Sequence, residues 1–238
     1  MPKTVLITGS SRGIGRRTAE LFSDKGWNVV ATMRDVSDWE ESPDNVLVTE
    51  IDVTKPGTIS KSVEKGVERF GGIDVLVNNA GFGLHGEVDS FDEEDFTKQF
   101  DVNVFGVFRM VRACLETLRE NNGCIVNVSS VVGRIGVSEY SYYSSSKFAV
   151  EGFSESLRYE LDDVRVKVVE PGPTDTGFFD GGETPPSYAM DDPEKVAKKV
   201  YLCGKSQCGR LRYPVGFARL LLFCENTSLL KQVMYWFR

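Results

Sequence analysis

Short apolar, β-branched runs alternate along the chain with longer stretches whose apolar residues recur at helical spacing. Thr4–Thr8 (TVLIT) is such a run, and it stops at Gly9 as a buried strand does. A helix is predicted over residues 14–25, with Ile14, Ala19, Leu21 and Phe22 turned inward and Gly26 placed to end it. NVVATM (28–33) and VLVTEIDV (46–53) read as the second and third strands, and a helix follows Pro56. IDVLVNNAG (73–81), CIVNVSS (124–130) and RVKVVEPG (165–172) read as the fourth, fifth and sixth. Long helical stretches at about 92–120 and 143–161 separate these last three. Apolar strands alternating with helices predict an α/β fold, a parallel sheet covered on both faces. No linker or repeat breaks the pattern, so one domain is expected over 1–238. The segment FFDGGETPPSYAMDD (178–192) is rich in Gly, Pro and acids and reads as a lid loop. It opens a variable region, 178–238, in which C-terminal helices are expected.

Composition narrows the function classes. With 41% apolar residues the chain can build a sizeable core. A net charge of −7 argues against a nucleic-acid binder, which needs a basic face. The cysteines, Cys114, Cys124, Cys203, Cys208 and Cys224, show no C-x-x-C spacing, and His85 is the sole histidine, so no metal site is expected. Reduced thiols, no leader-like start and no apolar run of about 18 residues lead to the expectation of a cytoplasmic protein. The apolar C-terminal stretch ending VMYWFR has three open uses: covering the core, meeting another subunit, or peripheral contact with a membrane.

Candidate chemistry begins at TGSSRGIG, residues 8–15, between the first strand and first helix. Gly9, Gly13 and Gly15 let the backbone turn sharply and approach a ligand, and the N–H groups that open the helix favour a pyrophosphate. The second strand ends ATMRD. An acid there would bind a ribose 2′-OH, whereas an arginine would accommodate a 2′-phosphate. Met33 stands at the expected acid position, with Arg34 and Asp35 after it and Arg12 inside the turn. The two arginines favour NADP(H), and Asp35 keeps NAD(H) open.

With these features in place, the sequence resembles the short-chain dehydrogenase/reductase family in its single-domain branch. TGSSRGIG matches T-G-x-x-x-G-I-G, NNAG (78–81) the fourth-strand motif, YSSSK (143–147) Y-x-x-x-K, and PGPTDT (171–176) P-G-x-x-x-T. The resemblance covers about residues 3–180. It implies a Rossmann-type doubly wound sheet, a nicotinamide cofactor, and a catalytic set of Asn103, Ser130, Tyr143 and Lys147. It also implies cofactor contacts from Ser11 and Ile14 in the turn, Asp52 and Val53 beside the adenine, and Asn79, Ala80 and Gly81 near the ribose. Pro171, Gly172, Thr174 and Thr176 would lie on the nicotinamide side. Thr174 stands where the family commonly has an aliphatic residue. A homodimer or homotetramer built on the 92–120 and 143–161 helices is implied as well.

SEYSYYSSSK (138–147) holds three tyrosines, and helix geometry chooses among them. Only Tyr143 lies four residues before Lys147, on the same helical face. A tyrosine titrates near 10, and the nearby ammonium of Lys147, together with the positive nicotinamide ring of an oxidised cofactor, is expected to draw Tyr143 toward a range useful for acid–base work. Tyr143 would give its proton to a carbonyl oxygen held by Ser130. Ser129, pointing the opposite way from a strand, is the neighbouring candidate, and the offset from Tyr143 in the family selects Ser130. Asn103 would hold a water near Lys147. The expected activity is therefore an oxidoreductase that moves hydride between NADP(H) and a small apolar carbonyl or secondary alcohol. The motifs NNAGFG, DVNVFG and SSKFAVEGF are similar to those of steroid, retinol and acyl-dihydroxyacetone-phosphate reductases. The pocket is expected to draw on the loop after Gly81, the segment 131–141 and the lid from Thr176 onward, with Phe82, Leu84, Phe178 and Phe179 as candidate apolar walls and His85 near the pocket mouth. A non-catalytic dinucleotide sensor is the alternative. A sugar-nucleotide epimerase would need a larger C-terminal substrate region.

Overall fold

The computed structural model describes residues 2–39, 42–178 and 190–223. The first half runs β1 (Thr4–Thr8), α1 (Gly13–Asp24), β2 (Asn28–Met33), β3 (Val46–Glu50), α2 (Pro56–Phe70) and β4 (Val75–Asn78). The second half runs α3 (Glu93–Phe100), a π-helical segment (Asp101–Phe105), α4 (Gly106–Glu120), β5 (Cys124–Val128), α5 (Ser141–Glu160), β6 (Arg165–Glu170), α6 (Pro193–Lys205), β7 (Arg212–Pro214) and α7 (Ala218–Phe223). The strands form one sheet in the order β3-β2-β1-β4-β5-β6-β7, every pair parallel. This is the doubly wound arrangement expected. Its strand order reverses at β1, so a crevice opens where the ends of β1 and β4 diverge.

Strand alternation sorts the core into two layers. Val5 and Ile7 of β1 join Ala19 and Phe22 of α1 and Val196 and Val200 of α6 on one face. Leu6 points to the other face, with Ile59, Val63, Met110, Leu118 and Leu157 from α2, α4 and α5. Phe22 is fully buried and meets the edges of Trp27 at 5.1 Å and Tyr201 at 5.0 Å. Burying such a ring contributes about 1.5–3 kcal/mol.

The first helix differs slightly from its predicted face: Thr18 is buried, while Ile14 and Leu21 are only partly so. Thr18 tolerates burial because its hydroxyl donates to the Ile14 carbonyl at 2.7 Å. α6 falls in the region where C-terminal helices were expected, without bounds, whereas the sequence pattern did not signal β7. β7 is three residues long and ends in a proline that an edge strand accepts. Lys167 of β6, fully buried, docks α6: its ammonium donates to the Cys203 and Ser206 carbonyls at 2.8 and 2.6 Å. Cations favour helix C-termini, where carbonyls lack helical partners. Cys114, Cys124 and Cys203 are buried free thiols and Cys208 an exposed one; Cys224 lies outside the described residues. No described helix is long and apolar enough to cross a membrane. Residues 179–189, most of the expected lid, and the stretch 224–238 ending VMYWFR also lie outside the described residues.

Candidate active site

The C-terminal ends of the strands border a cleft of about 1540 Å³. A small-molecule pocket is roughly 300–1,000 Å³, so this cleft has room for a large ligand and a second molecule beside it. Its floor at one end is the glycine turn. Thr8 Oγ1 accepts from the N–H groups of Asn79 and Ala80, both at 3.0 Å. The Asn79 amide donates to the carbonyls of Thr8 at 2.9 Å and Gly9 at 3.0 Å. These bonds tie the turn to the end of β4. Gly13 has φ +57°, and a Cβ there would stand 2.8 Å from Thr176 Cβ. No side chain caps α1. Gly9, Ser11, Arg12, Gly13 and Ile14 line the cleft, and so do Asn79, Ala80 and Gly81.

At the end of β2, Met33 and Arg34 line the cleft with Arg12. Asp35 does not. Its carboxylate accepts from the Ser37 N–H at 3.0 Å and hydroxyl at 2.7 Å, bonds that hold it below the usual carboxylate range. Asp52 and Val53 line the next stretch, joined by Ile51 and Thr54, which sequence reasoning did not single out. Pro171, Gly172, Thr174 and Thr176 line the cleft as well, with Thr176 beside Gly13.

Tyr143 and Lys147 sit one turn apart on α5, both buried and both on the cleft wall. A buried polar chain sets the position of that helix. Asn78 donates to Asn127 at 2.8 Å, Asn127 to Ser154 at 2.8 Å, and Ser154 to the Val150 carbonyl at 2.6 Å. The Lys147 ammonium lies 5.7 Å from the Tyr143 ring centre and donates to the Val128 carbonyl at 3.0 Å. Burial lowers the Lys147 pKa to about 8, with Glu151 opposing. For Tyr143 the protein's own environment works against the phenolate. Burial pushes its pKa well above the ordinary tyrosine value, and a hydrogen bond with Ser130 opposes this without reversing it. The phenol is therefore protonated at neutral pH. The distant ammonium, itself desolvated, does not overcome the cost of burying a phenolate.

Ser129 and Ser130 both line the cleft. Ser129 is buried with its hydroxyl unpartnered, while Ser130 reaches Tyr143 and accepts from the Val132 N–H at 3.3 Å. Asn103 and Gly15 are the two predicted site residues that stand behind the cleft wall rather than on it. Asn103 belongs to the π-helical segment. Its amide donates to the Phe82 carbonyl at 2.8 Å and Ser146 Oγ at 3.1 Å, and its Oδ1 accepts from the Phe82 N–H at 3.1 Å. It lies just behind Gly81, whose Cβ position is 3.1 Å from Asn103 Oδ1 and 3.8 Å from Lys147 Nζ.

Around the rest of the cleft, Phe82 and Phe178 form apolar wall as expected, whereas Leu84 is not on the lining and Phe179 is outside the described residues. Of the spare tyrosines, Tyr140 lines the cleft. Tyr142 instead donates to the Val88 carbonyl at 2.9 Å. His85 lies at the lining too, 3.1 Å from Glu139. The segment 131–141 lines the cleft as expected, although Glu139 within it was not picked out individually and Leu221 was not expected at all. No periodicity marks them, because they reach the cleft through the folding of a loop and of α7.

The family model described as short chain dehydrogenase matches residues 3–184, a span that includes β1, the glycine turn and both helical residues of the Tyr143–Lys147 pair. This chain belongs to the short-chain dehydrogenase family. Among relatives in this oxidoreductase family, a 3-ketodihydrosphingosine reductase from Bacteroides thetaiotaomicron is 40% identical over 182 residues. That match covers 75% of this chain and 66% of the relative, so just under two thirds of the relative's length is spanned. A short-chain dehydrogenase from Burkholderia cenocepacia, solved in complex with NADP, superposes with a TM-score of 0.85 at 25% identity, covering 97% of this chain and 95% of that one. A short-chain dehydrogenase fold also appears in a 3-ketoacyl-(acyl-carrier-protein) reductase from Brucella melitensis, complexed with NADH. Its TM-score is 0.80 at 26% identity, with 91% and 98% covered.

Proposed function

We propose that this chain is an NADPH-dependent carbonyl reductase acting on a small, largely apolar aldehyde or ketone. One observation carries the reading: Tyr143, Ser130 and Lys147 meet on the wall of the cleft whose other end is the glycine turn, and Tyr143 is in its proton-donating form. A dinucleotide held in the cleft would supply the hydride. Tyr143 donates its phenolic proton to the substrate oxygen, which Ser130 holds by a hydrogen bond. The Lys147 ammonium then stabilises the phenolate left behind. Asn103 acts through Phe82 and Ser146, positioning the loop beside Gly81.

The residues present suit a dinucleotide. Gly13 lets the turn pack closely on Thr176, and the uncapped start of α1 offers N–H groups to a pyrophosphate. Arg12 and Arg34 at the cleft, with Asp35 turned to Ser37, support a 2′-phosphate and hence NADPH. The Bacteroides relative, a reductase, and the NADP complex of the Burkholderia protein support this reading, while the Brucella protein is complexed with NADH, and a direct comparison of the two cofactors is the test.

Fluorescence titration with NADPH and NADH supplies it. NADPH should bind the tighter of the two, and Arg34→Ala should weaken NADPH by roughly tenfold while leaving NADH nearly unchanged, as expected for a charge-assisted phosphate contact. Equal weakening of both would remove the 2′-phosphate argument. An oligomer is also proposed: Phe105, Phe108 and Phe148 are exposed along the π-helical segment, α4 and α5.

A further inference from the structure

Resting on the carbonyl-reductase reading, we infer that the substrate carries a hydrogen-bond donor, an amine or hydroxyl, several bonds from its carbonyl, and that Glu139 accepts it while His85 orients Glu139. Two segments build this corner. His85 Nε2 and Glu139 Oε2 are 3.1 Å apart, and the Gly86 N–H donates to the Glu139 carbonyl at 2.8 Å. Glu139 has φ +65°, a left-handed conformation uncommon for a residue other than glycine. Such geometry persists when surrounding contacts impose it. From α5, Tyr142 straps the same loop through the Val88 carbonyl at 2.9 Å.

The corner is coupled to the proton donor through rings. His85 lies 4.6 Å from Tyr140, and Tyr140 lies 6.4 Å from Tyr143. His85, which holds Glu139, is thus two ring contacts from Tyr143, so a spacer must separate the donor group from the carbonyl. Val131, Ile135, Phe178 and Leu221 line the same cleft and suit an apolar body. Charge chooses the sign of the polar group. Glu87 lines the cleft from the His85 loop, and Glu94, Lys98 and Asp101 line it from α3 and the π-helical segment, with Asp101 tied to Arg109 at 2.7 Å. Carboxylates exceed cations there, so a donor is favoured over an anion. His85 engages Oε2, and Oε1 is the acceptor offered to a ligand.

The test uses the full chain, NADPH, and two series of methyl ketones of increasing length, one ending in an amine and one in a methyl group. The wild-type protein should prefer the amino ketone at one spacer length by at least about fivefold in kcat/KM, the scale of a half-exposed charge pair. Glu139→Gln should collapse that ratio through KM. Glu139→Asp, whose carboxylate is one methylene shorter, should keep a preference and move it to a longer spacer. Equal turnover of the two series, or a preference that survives Glu139→Gln, overturns the inference and leaves the reductase reading intact. NADPH binding with no turnover of either series overturns both.

Discussion

Replacing Tyr143 by phenylalanine should reduce turnover by about 10²- to 10⁴-fold, the usual contribution of a positioned proton donor, with NADPH affinity nearly unchanged. The substitution removes one oxygen from a buried ring that otherwise packs against Tyr140 at 6.4 Å and Phe178 at 5.4 Å. The fold should therefore survive. Steady-state rates with a simple ketone, beside a cofactor titration, separate the chemical step from binding. A variant that keeps more than a tenth of the wild-type rate would leave Tyr143 as a packing residue. The pH profile adds a second readout. Because the folded Lys147 titrates at about 8, below its ordinary value, its charge is present at neutral pH and lost as the pH rises through 8. Reduction should be flat near neutrality and decline above about 8, once no ammonium remains to stabilise the Tyr143 phenolate. A profile rising across that interval would contradict the assignment of Lys147.

Gly15→Ala should damage both the cofactor site and the fold. A Cβ at this position runs into the Gly9 carbonyl oxygen and comes within 2.5 Å of Asn79 Nδ2. Those two atoms form the hydrogen bond that ties the turn to β4. The obstruction includes backbone, which cannot rotate aside as the end of a long side chain can. Overpacking of this kind costs about 1–3 kcal/mol, and the turn must move to relieve it. We expect a lower thermal midpoint and at least tenfold weaker NADPH binding. Gly57→Ala is the control, since nothing lies within 4 Å of its Cβ position. Wild-type melting and binding by Gly15→Ala would mean that the turn is looser than its contacts indicate.

Much of the arrangement could be read before any tertiary contact was known. The turn from strand to helix at TGSSRGIG and the pairing of Tyr143 with Lys147 follow from local spacing, and both hold in the fold. The strands from β1 to β6 lie where apolar β-branched runs placed them. β7 escaped because three residues, Arg212–Pro214, carry no period, and its pairing partner β6 is more than forty residues earlier. His85 was placed near the pocket mouth from the sequence, but its pairing with Glu139 escaped for a similar reason. They are 54 residues apart and meet only because two loops cross at the cleft.

The titration of Tyr143 shows where local reasoning stops. Sequence spacing alone placed the ammonium of Lys147 on the right face of α5, but it could not supply the burial that governs both groups. That burial comes from segments remote in the chain: Phe178, the loop after Gly81, and Ser130 at the end of β5. Desolvation depends on everything packed around a group, whereas period and spacing depend on a few neighbours in sequence. The sequence by itself therefore determined the family, the succession of β1 to β6 along the chain and most of the residues brought to the cleft. Tertiary structure decided that Tyr143 keeps its proton, that Asp35 turns away to Ser37 while Arg34 faces the cleft, and that His85 and Glu139 share one corner of it.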